Sequence, residues 1–323
     1  MMIECRRGTS IGVSQSLFAG VAALALAILS PMSLASSPSN LVPKNTWKEL
    51  ADPANLFPVN GARYYQFSLA NGTGAYLVVA YVKDGKWRLR PHLAEKTAPT
   101  SRASSQQNAS AGINGGFFNL SDGVSASYIV LDGKTVADPR ENKALLENQK
   151  LQPFLEQIFN RSELRVLKTK NGKLDYQIAA HNTRLPPNMT LVDSLQAGPQ
   201  LLPVLRSEEE AFLRKQADGT YADSIGCKKP AARSAVGFTS DGYMIILAVA
   251  GKGQDPESSG ITLEELADLM RRLGCASALN LDGGSSTTLY VRLAENGKKA
   301  EGKSVCGKDP ETLVKSTLLL FPN

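Results

Sequence analysis

Histidine is the scarcest ionisable residue in this 323-residue chain, which contains only His92 and His181. The two are far apart in sequence, and no C-x-x-C motif accompanies them. Structural zinc sites take their four ligands from closely spaced cysteine and histidine pairs. The sequence therefore argues against such a site, and we predict neither a bound metal nor a cofactor.

Two common catalytic motifs are also missing. The chain has no G-x-x-x-x-G-K-[ST] loop, which excludes nucleotide binding through a P-loop. It has no G-x-S-x-G turn either, so Ser285 and Ser286 are poor candidates for the nucleophile of a hydrolase elbow. Any reaction has to be explained with other residues.

Long apolar runs are absent beyond the N-terminus. The run Leu17–Leu29 is short for a membrane span, follows Arg6 and Arg7, and precedes the small-residue series Ser33-Leu34-Ala35. This order is typical of a secretory signal peptide cut after Ala35; an uncleaved membrane anchor is the alternative. We expect a periplasmic or secreted protein with no stable membrane insertion after cleavage.

The predicted signal peptide sets the first boundary in the domain organisation of the chain. We predict a signal peptide over residues 1–35, a leader over 36–63 and a single domain over 64–323. The formal net charge is +6 and the basic residues are not gathered in a tail. Such a mild excess permits anionic substrates but gives no reason to expect a nucleic-acid partner.

Cysteine is scarce as well. Cys5 lies in the predicted signal peptide, which leaves Cys227, Cys275 and Cys306. Export makes a disulfide possible. Since Cys227 and Cys306 both lie in Gly/Lys-rich segments, we predict a disulfide between them. Cys275, directly before an apolar run, is predicted to be a free buried thiol.

Turn residues indicate the fold class. Asp-Gly and Asn-Gly pairs, which favour tight hairpins, separate apolar alternations. These pairs are Asp84-Gly85, Asp132-Gly133, Asn171-Gly172, Asp241-Gly242 and Asn296-Gly297. We predict an α+β domain, rich in mixed or antiparallel sheet with several hairpins and a few packed helices.

Two helical regions stand out. The segment 261–273 has a capping box at Thr262 and Glu265, apolar residues at helical spacing, and Gly274 at its end. A second region over 142–160 is interrupted near Pro153. The apolar run that follows Gly242 predicts a central strand.

Two strand ends carry a polar residue beside a glycine pair. In A-L-N-L-D-G-G-S-S-T-T-L-Y, an apolar strand ends at Asp282. In G-I-N-G-G-F-F, Asn114 precedes Gly115 and Gly116. Glycine lets backbone N–H groups approach a ligand closely, so we predict that the two breaks form two walls of one site. A turn aspartate that caps its own backbone is the alternative for Asp282.

Other candidates have structural alternatives of similar weight. Arg233 precedes a core strand, where a guanidinium could clamp a phosphate or form an ordinary ion pair. Gly198 lies in Q-A-G-P-Q-L-L, which a plain turn explains. Phe117 could stack on a sugar or pack in the core. For His181 in A-A-H-N-T-R, a structural role is favoured.

Taken in order, six stretches resemble the phosphodiester glycosidase domain family. They are G-I-N-G-G-F-F, Y-I-V-L-D-G-K, Q-A-G-P-Q-L-L, R-S-A-V-G-F-T-S-D-G-Y, G-I-T-L-E-E-L-A-D-L-M and A-L-N-L-D-G-G-S-S-T. The resemblance covers the chain from about Tyr64 to the C-terminus. One departure is Ser285, which stands where the family often has a third glycine.

This resemblance implies an exported hydrolase that cleaves a glycosidic bond to a phosphodiester on an envelope or extracellular glycoconjugate. A sugar-phosphate or glycan would be the substrate, with Asp282 and Arg233 as the catalytic pair. The implied substrate-binding residues are Asn114, Gly115, Gly116, Phe117, Gly198, Gly283, Gly284 and Ser285. The sequence gives no oligomeric state.

Two other functions fit the same residues. A non-catalytic polysaccharide or cell-wall binding module of the envelope would use the same aromatic rings and backbone donors. A metal-dependent phosphodiesterase would need carboxylates to hold a hard cation, since histidine is so scarce. Turnover of a substrate would distinguish the glycosidase from the binding module. Loss of activity in a chelator would distinguish the metal-dependent phosphodiesterase from the glycosidase.

The signal peptide gives a direct prediction. The exported protein should begin within a few residues of Ser36, because the basic, apolar and small-residue regions occur in the order that signal peptidase requires. Mass spectrometry of the N-terminal peptide measures this. An intact Met1 on the exported protein would contradict the prediction.

Overall fold

Antiparallel β-sheet dominates the structure, which is a computed structural model describing residues 62–69, 71–216, 218–250, 260–293 and 301–323. The predicted signal peptide, most of the predicted leader and the Asn296-Gly297 turn lie outside the described residues. No helix within the described ranges is long and apolar enough to span a membrane.

Eighteen strands are present in the described part of the chain. They are β1 (Ala62–Ser68), β2 (Gly74–Tyr81), β3 (Trp87–Ala98), β4 (Ala111–Asn114), β5 (Ile129–Leu131), β6 (Lys134–Ala137), β7 (Ser162–Thr169), β8 (Leu174–Ala180), β9 (Met189–Gln196), β10 (Gln200–Leu202), β11 (Leu213–Lys215), β12 (Tyr221–Asp223), β13 (Arg233–Thr239), β14 (Tyr243–Ala250), β15 (Cys275–Asn280), β16 (Leu289–Leu293), β17 (Glu301–Cys306) and β18 (Val314–Pro322).

The strands form three large sheets and one small hairpin. The first sheet has the order β1-β2-β14-β13-β15-β10, the second β17-β16-β4-β18-β3 and the third β6-β5-β9-β7-β8, while β11 pairs with β12. The strand pairings described are all antiparallel. The predicted fold class is confirmed.

The first sheet is buried on both faces. On β14, Ile246 and Ala248 join a core that the first sheet shares with strands of the other two sheets. Ile245 and Leu247 point to the opposite face and pack into a second core, which includes the helix residue Leu266. A strand buried on both faces reads as a continuous apolar run, and this explains why the sequence predicted β14 to be central.

Tight turns connect neighbouring strands at four of the predicted dipeptides. Asp84-Gly85, Asp132-Gly133, Asn171-Gly172 and Asp241-Gly242 lie between β2 and β3, β5 and β6, β7 and β8, and β13 and β14. In each pair the glycine has a positive φ, between 73° and 102°. Glycine adopts this conformation without steric cost. Three of these turns close antiparallel hairpins and so fix the register of their strands, whereas Asp84-Gly85 links β2 of the first sheet to β3 of the second, and the hairpin predicted there is wrong.

Four α-helices complete the described part of the fold. They are α1 (Thr100–Gln106), α2 (Lys143–Leu146), α3 (Leu155–Phe159) and α4 (Leu263–Arg272). Helix α4 begins with the predicted capping box, in which Thr262 accepts the Glu265 N–H and the Glu265 carboxylate accepts the Thr262 N–H. The predicted 142–160 region contains only the short helices α2 and α3 and one 3-10 turn, Gln152–Phe154, which includes Pro153.

The predicted disulfide between Cys227 and Cys306 is wrong. Cys227 packs into the second core and Cys306 into the first, so they lie against opposite faces of the first sheet. Both are buried free thiols, as is Cys275, whose predicted free and buried state is confirmed. Burial raises the pKa of all three thiols to about 12, which leaves almost no reactive thiolate at neutral pH.

We predict three free thiols in the protein after removal of residues 1–35. Alkylation in denaturant without a reductant should modify all three, and the native protein should react slowly because the thiols are buried. Intact mass measures both. Reduction before alkylation is the control and should not change the number of modified thiols. Two additional modified thiols after reduction would show that a disulfide is present.

Candidate active site

The ends of strands from the three large sheets meet next to Asp282, the second residue after β15. The Asp282 N–H donates to the Gly115 carbonyl at 2.9 Å, directly after β4 of the second sheet. The Gly198 N–H, just beyond β9 of the third sheet, donates to the Asn280 carbonyl at 2.9 Å. The two glycine-pair breaks that were predicted to form one site therefore lie in contact.

Asp282 is a half-buried acid. Its Oδ1 accepts the Gly283 N–H at 3.0 Å, and its carboxylate is also hydrogen-bonded to the Ser286 side chain. None of the ion pairs found among the described residues includes Asp282. Burial raises its pKa to about 6, although both hydrogen bonds oppose the shift. The group can therefore exchange a proton near neutral pH.

The loop after Asp282 has one side against the protein and one side open. A Cβ atom on Gly283 would lie 2.9 Å from the Ala232 carbonyl oxygen, which also accepts the Gly284 N–H at 2.8 Å. Gly284 has a φ of +59°, and a Cβ there would meet nothing within 4 Å. With the half-buried Ser285, Gly284 forms the accessible surface of this loop.

Asn114 is fully buried and its amide is used within the protein. Its Nδ2 donates to the Asp282 carbonyl at 2.5 Å. Its Oδ1 accepts the Ser234 hydroxyl at 2.7 Å and the Thr288 N–H at 3.1 Å. The side chain that was expected to bind substrate oxygens instead fixes the backbone beside Asp282.

The glycine pair after Asn114 is required for packing. The Gly115 N–H donates to the Ser316 carbonyl at 2.8 Å and the Gly116 N–H to the Ser316 Oγ at 3.0 Å. A Cβ on Gly116 would lie 2.5 Å from the Gln196 carbonyl oxygen. Both N–H groups are therefore occupied, and neither is available as the ligand donor that the sequence suggested.

Two further candidates line the same region. Phe117 packs on Phe212 with ring centroids 5.3 Å apart, so part of this aromatic belongs to the core. Gly198 has a φ of +115°, and its carbonyl accepts the Asn280 Nδ2 at 2.7 Å. A Cβ there would lie 2.4 Å from Oε2 of the buried Glu210. Position 198 therefore needs a glycine, because any side chain would collide with Glu210.

Arg233 is buried, and its guanidinium is bound to backbone carbonyls. Nε donates to Ile261 at 3.0 Å, Nη1 to Ile225 at 3.0 Å, and Nη2 to Gly226 at 2.6 Å and Lys229 at 2.9 Å. These four bonds use the donors that a two-pronged phosphate clamp would need. In this arrangement Arg233 secures the loop that precedes β13.

Two site neighbours were not proposed from the sequence. Ser286, whose side chain bonds to Asp282, was considered only as a hydrolase nucleophile. Glu210 is a buried acid whose Oε1 accepts the Ser162 hydroxyl at 2.7 Å and the Gln200 N–H at 3.1 Å. Burial raises its pKa. The run S-E-E-E-A-F gives no signal that separates this glutamate from its exposed neighbours.

The described residues contain no group of three or more histidine, cysteine or acidic side chains placed to hold a metal ion. Comparison with known proteins identifies the domain. A family model described as phosphodiester glycosidase matches residues 107–321, more than half of the chain. The chain belongs to the phosphodiester glycosidase family. All six stretches that carried the resemblance lie within the matched residues.

One relative and two solved structures are similar to this chain. Mouse N-acetylglucosamine-1-phosphodiester alpha-N-acetylglucosaminidase is 26% identical over 181 residues, covering 55% of this chain and 31% of the mouse protein. The zebrafish catalytic domain of the same name has a TM-score of 0.53 at 16% identity, covering 81% of this chain and 83% of that one. A hypothetical protein from Synechocystis has a TM-score of 0.54 at 17% identity, with coverages of 81% and 62%. The two structures establish likeness of fold.

The raised pKa of Asp282 predicts a pH-dependent stability difference. Since the folded-state pKa is about 6 and the ordinary value is 3.8, the folded protein binds this proton more tightly than the unfolded chain. Ionisation therefore destabilises the fold as pH rises between these values. Asp282→Asn should be more stable than wild type above about pH 6, by about 1 to 3 kcal/mol.

Urea unfolding of both proteins at several pH values tests this. The difference should shrink towards zero as pH falls below 3.8, where the aspartate is neutral in both the folded and the unfolded protein. A variant that is less stable than wild type at neutral pH would instead show that the carboxylate is a structural cap.

Proposed function

We propose that this protein hydrolyses the bond between the anomeric carbon of a sugar and a phosphodiester oxygen. The observation that carries the proposal is Asp282: a half-buried acid with a raised pKa, at the junction of three sheets, inside a phosphodiester glycosidase domain. The name of the mouse relative describes the same bond type. The sugar itself is left open, because that relative is distant and longer.

Asp282 suits the charge changes of this reaction. Glycoside hydrolysis passes through an oxocarbenium-like transition state, which a carboxylate stabilises or traps. Breaking this bond releases a phosphomonoester, which leaves as a stable anion and so needs less protonation than an alkoxide does, while water supplies the new hydroxyl on the anomeric carbon. We infer that the ionised form of Asp282 is the active one, as the nucleophile or as the base that activates water.

The remaining site residues divide into two groups. Gly283, Gly284, Ser285 and the exposed part of Phe117 are proposed to contact the substrate, because Gly284 faces open space. Asn114, Gly115, Gly116, Gly198 and Arg233 are proposed to be positioning residues, because their polar groups or their crowding hold the loop of Asp282. Half of the sequence-predicted site residues are therefore assigned to support.

The N-terminal sequence supports a proposal about where in the cell the reaction takes place. Because residues 1–35 have the order of a signal peptide, we propose that the enzyme is periplasmic or secreted. Its substrate would then be an envelope or extracellular glycoconjugate that carries a sugar linked to phosphate.

A second candidate function is a non-catalytic glycan-binding module. One observation favours it: Arg233 and Asn114 are bound within the protein, so neither side chain is free to act on a substrate beside Asp282. A screen of the purified mature protein against sugar-1-phosphodiesters, with products identified by mass, separates the two functions. Binding without release of sugar would favour the module.

For any substrate found in that screen, we predict that Asp282→Asn lowers kcat/KM by roughly a hundredfold or more, about 3 kcal/mol of transition-state stabilisation. The wild-type kcat/KM should rise with pH through about 6, the pKa of Asp282, as the active carboxylate forms. Steady-state kinetics across this pH range measure both effects.

Asp84→Asn is the matched control. Asp84 also precedes a glycine in a tight turn, and its Oδ1 accepts the Lys86 N–H at 2.9 Å. That turn lies at the opposite end of the first sheet, so activity should be unchanged. Near-wild-type turnover by Asp282→Asn would refute the catalytic assignment.

A further inference from the structure

A second cavity lies at the opposite end of the first sheet from Asp282. It has a volume of about 380 Å³ and is bordered by the turns that follow β2, β7 and β13. The loop after Asp282 meets the chain just before β13, where the Gly284 N–H donates to the Ala232 carbonyl at 2.8 Å. The cavity is lined by Thr239, the last residue of β13, roughly 20 Å further along the strand. The cavity is therefore separate from the candidate active site.

The inner wall of this cavity is apolar and rigid. Val82 and Phe238 are buried core residues that reach it. Tyr176 stacks on Phe238 with the ring centroids 5.2 Å apart and an angle of 14° between the planes. The Tyr176 hydroxyl accepts the Leu89 N–H at 3.1 Å, which fixes the outer end of this ring. Pockets that bind small molecules combine such a wall with a few polar groups.

Two lysines with no internal partner for their charge line the cavity. Lys83 and Lys173 are exposed, and neither belongs to an ion pair found among the described residues. The stem of Lys83 lies against Gly242, where a Cβ would come within 2.6 Å of the Lys83 Cβ. The N–H and the carbonyl of Lys173 are both bonded to the Thr169 hydroxyl at 3.1 Å. The two lysines are thus held on different turns around one cavity.

The three turns carry an excess of positive charge. Lys86 is paired with Asp84 at 3.7 Å, and the Asp241 carboxylate accepts the Thr239 hydroxyl. The turn after β7 holds three lysines in the run K-T-K-N-G-K and no acid. Together the turns and the adjoining strand ends contain five lysines and three aspartates: Lys83, Lys86, Lys168, Lys170, Lys173, Asp84, Asp175 and Asp241. This field favours an anion at the cavity.

Two further groups decide which anion fits. Asp175 lines the cavity without an ion-pair partner among the described residues, and its Oδ1 accepts the Tyr176 N–H at 2.9 Å. The exposed Ser240 also lines the cavity, and its hydroxyl makes none of the hydrogen bonds found in the described part of the chain. A carboxylate repels a simple anion but accepts hydrogen bonds from hydroxyl groups. The combination fits a ligand that carries both an anionic group and several hydroxyls.

We propose that this cavity binds an acidic sugar unit of a glycan. Lys83 and Lys173 hold its anionic group, Asp175 accepts bonds from its hydroxyls, and its ring packs against the apolar wall. That this unit belongs to the substrate glycan rests on the proposed function, whereas the cavity stands on its own geometry. A contact roughly 20 Å from Asp282 would hold a polymeric glycan on the enzyme while another part of the polymer reacts.

NMR titration of the ¹⁵N-labelled mature protein with sodium glucuronate tests the site without turnover. We expect saturable shifts confined to backbone amides around the cavity, such as those of Leu174 and Ser240. Glucose lacks the charge, and sodium acetate lacks the ring and its hydroxyls. Each should therefore bind at least about tenfold more weakly than glucuronate at equal ionic strength.

A pair of double variants tests the two lysines. Lys83→Gln/Lys173→Gln should weaken glucuronate binding about tenfold or more, because it removes both cations and keeps most of each side chain. Lys86→Gln/Lys170→Gln is the matched control. It removes the same charge from the same two turns, at residues that do not line the cavity, so affinity should stay within about twofold.

The proposal is overturned if glucuronate causes no saturable shift, if glucose or acetate binds equally well, or if both double variants lose affinity alike. Glucuronate binding by a protein that hydrolyses no sugar-1-phosphodiester would support the cavity and refute the proposed reaction. Hydrolysis without glucuronate binding would support the reaction and refute the cavity.

Kinetics separate the cavity from the active site where a substrate is known. A small sugar-1-phosphodiester reaches only the site of Asp282, so Lys83→Gln/Lys173→Gln should leave its kcat and KM unchanged. With an acidic polymeric substrate the same variant should raise KM and change kcat little, because only polymer binding is weakened. A lower kcat on the small substrate, or an unchanged KM on the polymer, would contradict a separate site for the substrate glycan.

Discussion

The candidate site depends on one buried amide, that of Asn114. Its nitrogen and oxygen join the end of β4 in the second sheet to the Asp282 carbonyl and to Ser234 on β13, both in or beside the first sheet. An unpaired buried amide costs about 1 to 3 kcal/mol, so removing any partner destabilises the junction of the sheets. The position of the Asp282 backbone is therefore a consequence of how the two sheets are held together.

Arg233, like Asn114, uses its side chain to hold backbone in place near the loop that follows Asp282. Three of its bonds go to backbone carbonyls of the loop 225–229, and the fourth goes to the Ile261 carbonyl just before α4. Buried polar groups need such partners, and one guanidinium supplies several donors in a fixed geometry. The two residues that read most like ligand-binding groups are thus used to build the frame around Asp282.

The sequence predicted what local chemistry determines. Hairpin turns such as Asp132-Gly133, the capping box of α4 and the two-sided burial of β14 all follow from a few neighbouring residues. Side-chain partners did not follow, because Asn114 and Asp282 are 168 positions apart. The disulfide failed for a related reason: Cys227 and Cys306 lie in segments of similar composition, but sheet topology places them on opposite faces.

The internal pairing of Arg233 also has a consequence for the chemistry of Asp282. A guanidinium within a few ångströms of a carboxylate lowers its pKa by about one to three units, which would cancel the effect of burial. Asp282 can keep a pKa of about 6 only while cations stay at a distance. The bonds from Arg233 to backbone carbonyls keep its charge from pairing with Asp282, so the raised pKa that burial gives this acid is preserved.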